Sequence, residues 1–353
     1  MPGLEYVRAD DVDSAVALVT ADPDAAYLAG GTTQLDLLLK DRVIEAGRLV
    51  DIGRLPLRGI TRGDGTLRVG ALTTMEELAA DQTVRERLPL VRQALLAGAS
   101  PQLRNMATIG GNLLQRSRCR YFRDAAVPTC NKRTPGSGCA AITGPARMHA
   151  ILGTSEHCIA VHASDLCVAL AALDAQVHIQ GARGRRVVPL TAFYLLPGDR
   201  PDRETMLAHG ELITAVDVPL PPPGTRSGYL KVRDRASYEF ALTSAAAALV
   251  IDDGLITMAR LALGGVGTIP WRAREAEDVL TGVPASDQAF RAAAAAALRD
   301  PFTVDGTAFK VELAKRTIVR ALKDLAGAQP CPPLSPTPRS SALPSTEWTG
   351  RPR

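Results

Sequence analysis

Near the N-terminus, apolar positions recur every three to four residues. In DDVDSAVALVTAD, Ala15, Leu18 and Val19 share one face, which predicts an amphipathic helix. AAYLA (residues 25–29) reads as a short buried strand, GGTTQ as a tight loop, LDLLLKD as a short helix and RLVDIG (residues 48–53) as a second strand. That order predicts a βαβ-type unit. TLRVGALTTMEELAAD then pairs a strand with a helix, and Thr73 or Thr74 with Glu76 or Glu77 resembles a capping signal. VRERLPLVRQALLAGA reads as a further helix, and ATIGGNLLQ as a strand-like entry into a Gly-Gly turn. CIAVHASDLCVALAALDAQVHIQ predicts strand, turn, helix, strand.

PLPPPGTRSG (residues 219–228) is a Pro/Gly linker. Beyond it, AAAALVIDDGLITMARLALGG predicts a hairpin turning at Asp253-Gly254. REAEDVLTG and QAFRAAAAAALRD read as helices. Phe309, Leu313, Thr317, Ala321 and Leu325 lie four apart, so the segment around them is a long amphipathic helix. From Gln329 onward there is little to bury, and a disordered tail is expected over 329–353. No internal repeat is found.

Composition narrows the function. A chain of 353 residues, 46% hydrophobic, can bury two or three cores, and no apolar run is long enough to span a membrane. The first residues carry no charged n-region followed by an apolar h-region, so no export signal is expected on this chain. The protein is then cytoplasmic, or periplasmic as the passenger of a signal-bearing partner. A net charge of +4 and 4% aromatics argue against nucleic acid as a general partner. Six cysteines are too few for a disulfide scaffold.

Three polar elements suit a nucleotide. Ala29-Gly30-Gly31-Thr32-Thr33-Gln34 sits between strand and helix, where amide groups and a helix N-terminus form a nest for a diphosphate. It is neither GxGxxG nor GK[ST], and a lone Gly-Gly is more often an ordinary βα connection. Thr108-Ile109-Gly110-Gly111-Asn112 repeats the feature, and two such loops favour a dinucleotide held between them. Ser164-Asp165 reads as a helix N-cap, with an Asp able to bond a ribose hydroxyl. Lys231 is a candidate contact to a ring system, although a lone lysine in a basic strand is more often exposed.

The sharpest feature is Cys119, Cys130, Cys139 and Cys158, spaced C-x10-C-x8-C-x18-C. Zinc sites usually draw ligands from close pairs such as CxxC, and none is present. Four thiolates on long loops can enclose an iron–sulfur cluster. Arg116, Arg118, Arg120, Arg123, Lys132 and Arg133 crowd the first two cysteines and would offset an anionic cluster. The plainer alternative is a solvated arginine face with buried cysteines. Cys167, in DLCVALAAL, reads as core, and Cys331 lies in the tail.

The ordered set LAGGTTQLDLLLK, LRVGALTT, ATIGGNLLQ, ASDL and YLKVRDRASYEFAL resembles the FAD-binding subunit of molybdenum hydroxylases, the xanthine dehydrogenase and aldehyde oxidoreductase family, over residues 3 to about 327. RCRYFRD, CNKRTPGSGCAAI and SEHCIA resemble the medium subunit of bacterial heterotrimeric aldehyde oxidoreductases, which carries an additional 4Fe–4S cluster. The resemblance implies an α+β fold: FAD-binding subdomains at 1–55 and 56–225, an iron–sulfur loop at 116–158, and a C-terminal α/β domain at 226–328. It implies that Ala26, Tyr27, Leu28, Ala29, Gly30, Gly31, Thr32, Thr33, Gln34 and Leu35 wrap the FAD diphosphate. Thr108, Gly110, Gly111 and Asn112 close the second side, with Leu113 near the isoalloxazine. Asp165 binds the ribose, Ile213 sits by the adenine, Lys231 approaches the flavin ring, and the four cysteines hold the cluster. The implied activity is electron transfer within an aldehyde-oxidising complex. Its partners are a large molybdopterin subunit, a small 2Fe–2S subunit and an external acceptor, and this chain supplies no catalytic acid or nucleophile. The alternatives are the flavin subunit of a xanthine- or aryl-CoA-type enzyme, a free-standing FAD reductase of related fold, and a zinc-stabilised interaction module.

Overall fold

The computed structural model describes residues 3–327. The expected tail and Cys331 lie outside the described residues. Within 3–327 the chain builds three sheets. The first is parallel, in the order β1 (Glu5–Arg8), β3 (Arg48–Asp51), β2 (Ala25–Leu28). Helix Val12–Ala21 covers it and starts at Asp11, whose side chain accepts from the Ser14 amide in a reciprocal capping box. Ala15, Val16 and Val19 bury against Val50. The connection from β2 to β3 is a π-helical turn, Asp36–Lys40, and the two strands pair in parallel as a βαβ unit does.

The second sheet has the order β4 (Ile60–Gly63), β5 (Thr66–Gly70), β8 (Leu212–Pro219), β6 (Gln176–Gly181), β7 (Gly184–Pro189), all antiparallel. Its helices bury the largest core, from Leu67 and Val69 to Val216. Thr74 and Glu77 form the cap of helix Met75–Ala80. The predicted long helix at VRERLPLVRQALLAGA is two, Gln82–Arg87 and Pro89–Ala97. Leu88 leaves helical geometry because a following proline disfavours it. CIAV is not a strand, since residues 159–164 run as irregular backbone into helix Asp165–Ala172.

The third sheet runs β12 (Trp271–Arg272), β11 (Leu255–Gly264), β10 (Thr243–Asp252), β9 (Arg226–Val232). Asp253 and Gly254 turn the hairpin with φ of 48° and 80°, the positive values a two-residue turn requires. Strand alternation decides what β10 joins. Ala246 and Ala248 enter the core of the second sheet, while Ala245, Ala247 and Leu249 enter the core of the C-terminal helices. Helix Phe309–Gly327 is present, but its buried face is Ala314, Thr317, Ile318, Ala321, Leu322 and Leu325. Phe309 is exposed, with the Arg147 guanidinium 4.7 Å from its ring. Lys310 takes the buried place and donates to the His149 and Gly265 carbonyls.

Candidate functional site

Two clefts meet at one short helix. Thr108 caps helix Ile109–Leu113, accepting from the Gly111 amide at 3.2 Å, while the Ile109 and Gly110 amides donate to the Thr73 and Ala71 carbonyls. The expected strand-like entry is therefore a helix start. Its first amides are already engaged, so this segment offers shape rather than free donors. The loop after β2 differs. Among the described residues, the amides of Gly30, Gly31, Thr32 and Thr33 find no backbone acceptor. Gly31 holds φ of +70°, and a Cβ on Gly30 would lie 1.8 Å from the Met106 carbonyl oxygen. This loop therefore closes on the 105–107 turn with no room for a side chain.

The first cleft is lined by Tyr27, Ala29, Gly30, Gly31, Thr32, Thr33 and Gln34 on one side, and by Thr108, Gly110, Gly111 and Ile213 on the other. Arg116 lines it too, a residue read from sequence only as part of the cysteine setting. The second cleft holds Asn112, Asp165 and Lys231, with Gly98, Ala99 and Phe240. Asn112 lines the second cleft and its neighbour Gly111 the first. It follows Gly111 on the helix and accepts from the Ser164 hydroxyl at 2.5 Å, while Ser164 caps helix Asp165–Ala172. Ala26, Leu28, Leu35 and Leu113 line neither cleft. Ala26 and Leu28, in β2, pair with Leu49 and Asp51 of β3, and Leu113 is buried in the core. Gly98 and Ala99 have no chemical signal in the sequence by which they could be found.

Lys231 is buried, not exposed. Its Nζ donates to Asp165 at 2.7 Å and to the Ala97 carbonyl at 2.9 Å, and Tyr229 donates to the other carboxylate oxygen at 2.5 Å. Burial pushes the Asp165 carboxyl upward against the pull of Lys231 and Tyr229. The two residues expected at ribose and ring thus form one pair at the floor of the second cleft. A third and larger cleft shares Asp165, Arg118 and Phe240 with the second and reaches Cys119 and His149.

The four cysteines come together. Cys119, Cys130, Cys139 and Cys158 line one small cavity, none in a disulfide. Cys119 precedes helix Arg120–Arg123, Cys130 and Cys139 face each other across an antiparallel bridge, and Cys158 closes a bridge with Ser155. Asn131 ties the loops by donating to the His157 carbonyl and accepting from the Gly138 amide. Burial pushes the Cys119 thiol up to about 12 and raises Cys158, the latter opposed by Lys132. Among the described residues, no three of His, Cys, Asp or Glu form a group able to hold a single metal ion. The arginines are mostly committed within the chain. Arg133 donates to the Tyr121, Phe122, Asp124 and Val127 carbonyls, Arg123 pairs with Asp36 and Asp41, and Arg120 is exposed.

Comparison with known proteins decides the family. A model described as the FAD binding domain in molybdopterin dehydrogenase matches residues 2–221, and one described as the CO dehydrogenase flavoprotein C-terminal domain matches 228–325. The chain belongs to the FAD-binding subunits of molybdopterin dehydrogenases. It is 46% identical to the aldehyde oxidoreductase FAD-binding subunit PaoB of Escherichia coli, over 92% of this chain and 98% of that protein. It is 28% identical to the carbon monoxide dehydrogenase medium chain of Afipia carboxidovorans, over 82% and 85%. A chain of the Hydrogenophaga pseudoflava carbon monoxide dehydrogenase superposes with a TM-score of 0.72 at 28% identity, covering 92% of this chain and 98% of that one. The fold is thus the mixed α/β architecture of these flavin subunits, and the protein is an oxidoreductase subunit of the molybdenum hydroxylase type. FAD suits the residues present: open amides and Arg116 for a diphosphate, and buried Ile213 and Leu72 for an apolar ring. No helix among the described residues is long and apolar enough to cross a membrane.

Proposed function

We propose that this chain is the FAD- and 4Fe–4S-binding subunit of a molybdenum-dependent aldehyde oxidoreductase. It receives electrons from 2Fe–2S clusters on a small partner, after aldehyde is oxidised to carboxylic acid at molybdopterin on a large partner, and delivers them to an external acceptor. The observation that carries the cluster is the convergence of four free thiols on one cavity. Their long spacing in the chain suits a cluster, in which separate irons take one thiolate each, better than one zinc ion, whose ligands usually come in close pairs. The 46% identity to an aldehyde oxidoreductase subunit supports aldehyde over xanthine or an aryl-CoA as the complex's substrate.

FAD supplies the capacity to take up electrons and pass them on singly or in pairs. The chain's own residues bind and orient it. The Gly30–Thr33 amides and Arg116 hold the diphosphate, with Thr108, Gly110 and Gly111 as the opposite wall. Asn112, held by Ser164, would offer its side-chain amide to the bound flavin. Lys231 would offer it a positive charge from the second cleft, and its bond to Asp165 holds that charge in place. Cys119, Cys130, Cys139 and Cys158 hold the cluster. The raised Cys119 and Cys158 thiols give up protons to do so, so loading weakens as pH falls.

Cys130→Ser is the test. Iron should fall by one cluster's share, measured against wild type by metal analysis, with FAD retained unless the loop supports its site. Unchanged iron removes Cys130 from the ligand set. A colourless, zinc-loaded wild-type chain favours the interaction-module reading.

A further inference from the structure

Glu204 stands between the two cofactor sites and touches a cation from each. Lys132 Nζ donates to Glu204 Oε1 at 3.0 Å and to the Pro201 carbonyl at 3.0 Å, and Arg116 Nε donates to Glu204 Oε2. Lys132 lines the thiol cavity, and Arg116 lines the cleft of the Gly30–Thr33 loop. The Glu204 backbone is itself anchored: its carbonyl accepts from the Leu195 amide, and Thr205 bridges Tyr194, a buried core residue. Burial raises the carboxyl, but Lys132 and Arg116 outweigh it and hold Glu204 low, so it is ionised. The same two regions meet again nearby. Leu37, from the turn after the Gly-Gly loop, shares a small core with Phe122 and Cys130. Arg116 also lies 4.6 Å over the Phe122 ring and reaches the Lys132 carbonyl at 3.5 Å.

We propose that Glu204 is a positioning residue that couples occupancy of the flavin cleft to occupancy of the thiol cavity. This rests on the cluster reading given above. One fixed carboxylate holds two cations, each facing the place of an anionic group. A group bound on either side orders the segment that carries both Arg116 and Lys132, so the second group meets residues already in place. Such coupling is reciprocal: iron strengthens FAD binding by the factor by which FAD strengthens iron binding. Without the carboxylate, two like charges remain beside each other, each free to turn from its site.

The experiment uses the full chain purified without oxygen. FAD Kd is measured by fluorescence titration before and after iron removal by a chelator, and iron release is timed with and without FAD. Wild type should bind FAD about tenfold more weakly without iron, within the ordinary range of coupling between sites. In Glu204→Gln the ratio should fall to within about twofold of one, with far-ultraviolet circular dichroism unchanged. Lys132→Met, which breaks the link from the other end, should do the same, and Glu204→Asp should keep part of the coupling. A wild-type ratio in both Glu204→Gln and Lys132→Met, with the reduced cluster's paramagnetic signal intact, overturns the proposal and leaves the cluster reading standing. So does a wild type that holds both groups with no coupling. A wild type with FAD but no iron removes the cluster reading and this proposal together.

Discussion

Lys231 and Asp165 form a buried ion pair lining the second cleft. Their side chains are 5% and 10% exposed, and removing one partner of a buried pair leaves a charge without solvent or counter-ion. Lys231→Met should cost about 3–5 kcal/mol in urea unfolding and release flavin, whereas removing both charges together should cost less. A loss below about 1 kcal/mol would contradict the pairing. Gly30 is a second test position. A Cβ there meets the Met106 carbonyl at 1.8 Å, so Gly30→Ala should force the loop outward and weaken FAD at least about tenfold, read by fluorescence titration. The buried histidines set the pH response. Burial lowers His149 and His162 from 6.5 to about 4, so between those values the unfolded chain takes up protons that the folded chain refuses. Stability should therefore decline as pH falls from about 6.5, before the carboxylates titrate. Thermal melts should show this, and His162→Gln should flatten the pH dependence between about 6.5 and 5. An unchanged slope in that variant would exclude His162 as a source.

At the scale of elements, what could be read from sequence was whatever local chemistry decides. The Asp253-Gly254 hairpin and the Thr74–Glu77 cap need only neighbouring residues. The first Gly-Gly loop was visible for the same reason, because a strand must leave the sheet there. Helix Ile109–Leu113 was not. Two glycines and a β-branched residue argue against a helix, and this one is held by the Thr73 and Ala71 carbonyls from another segment. The long C-terminal helix was found, with Thr317, Ala321 and Leu325 on its buried face as expected, but Lys310 and Ala314 are buried in place of Phe309 and Leu313. The carbonyls of His149 and Gly265 draw Lys310 inward, and no periodicity of apolar residues reports that. The cysteine stretch showed four thiols plainly but not the scaffold that gathers them on one cavity. Arg133 and Asn131, which tie the loops through backbone carbonyls, look like any polar loop residue in sequence.

At the scale of the whole molecule, three sheets divide the labour. The first presents the Gly-Gly loop, the second carries the opposite wall, and the third brings Lys231 against Asp165 through β9. The alanines of β10 let helices approach it from both faces, which holds the third sheet close enough for that contact. On the proposed reading, one chain carries both a flavin and a thiolate-held iron cluster. Quantifying FAD, iron and zinc in the full chain purified without oxygen, alongside its visible spectrum, tests this most directly. Flavin bands over a broad brown shoulder are expected, with about four iron atoms per FAD and no zinc. Flavin with no iron, or zinc in its place, would contradict that reading.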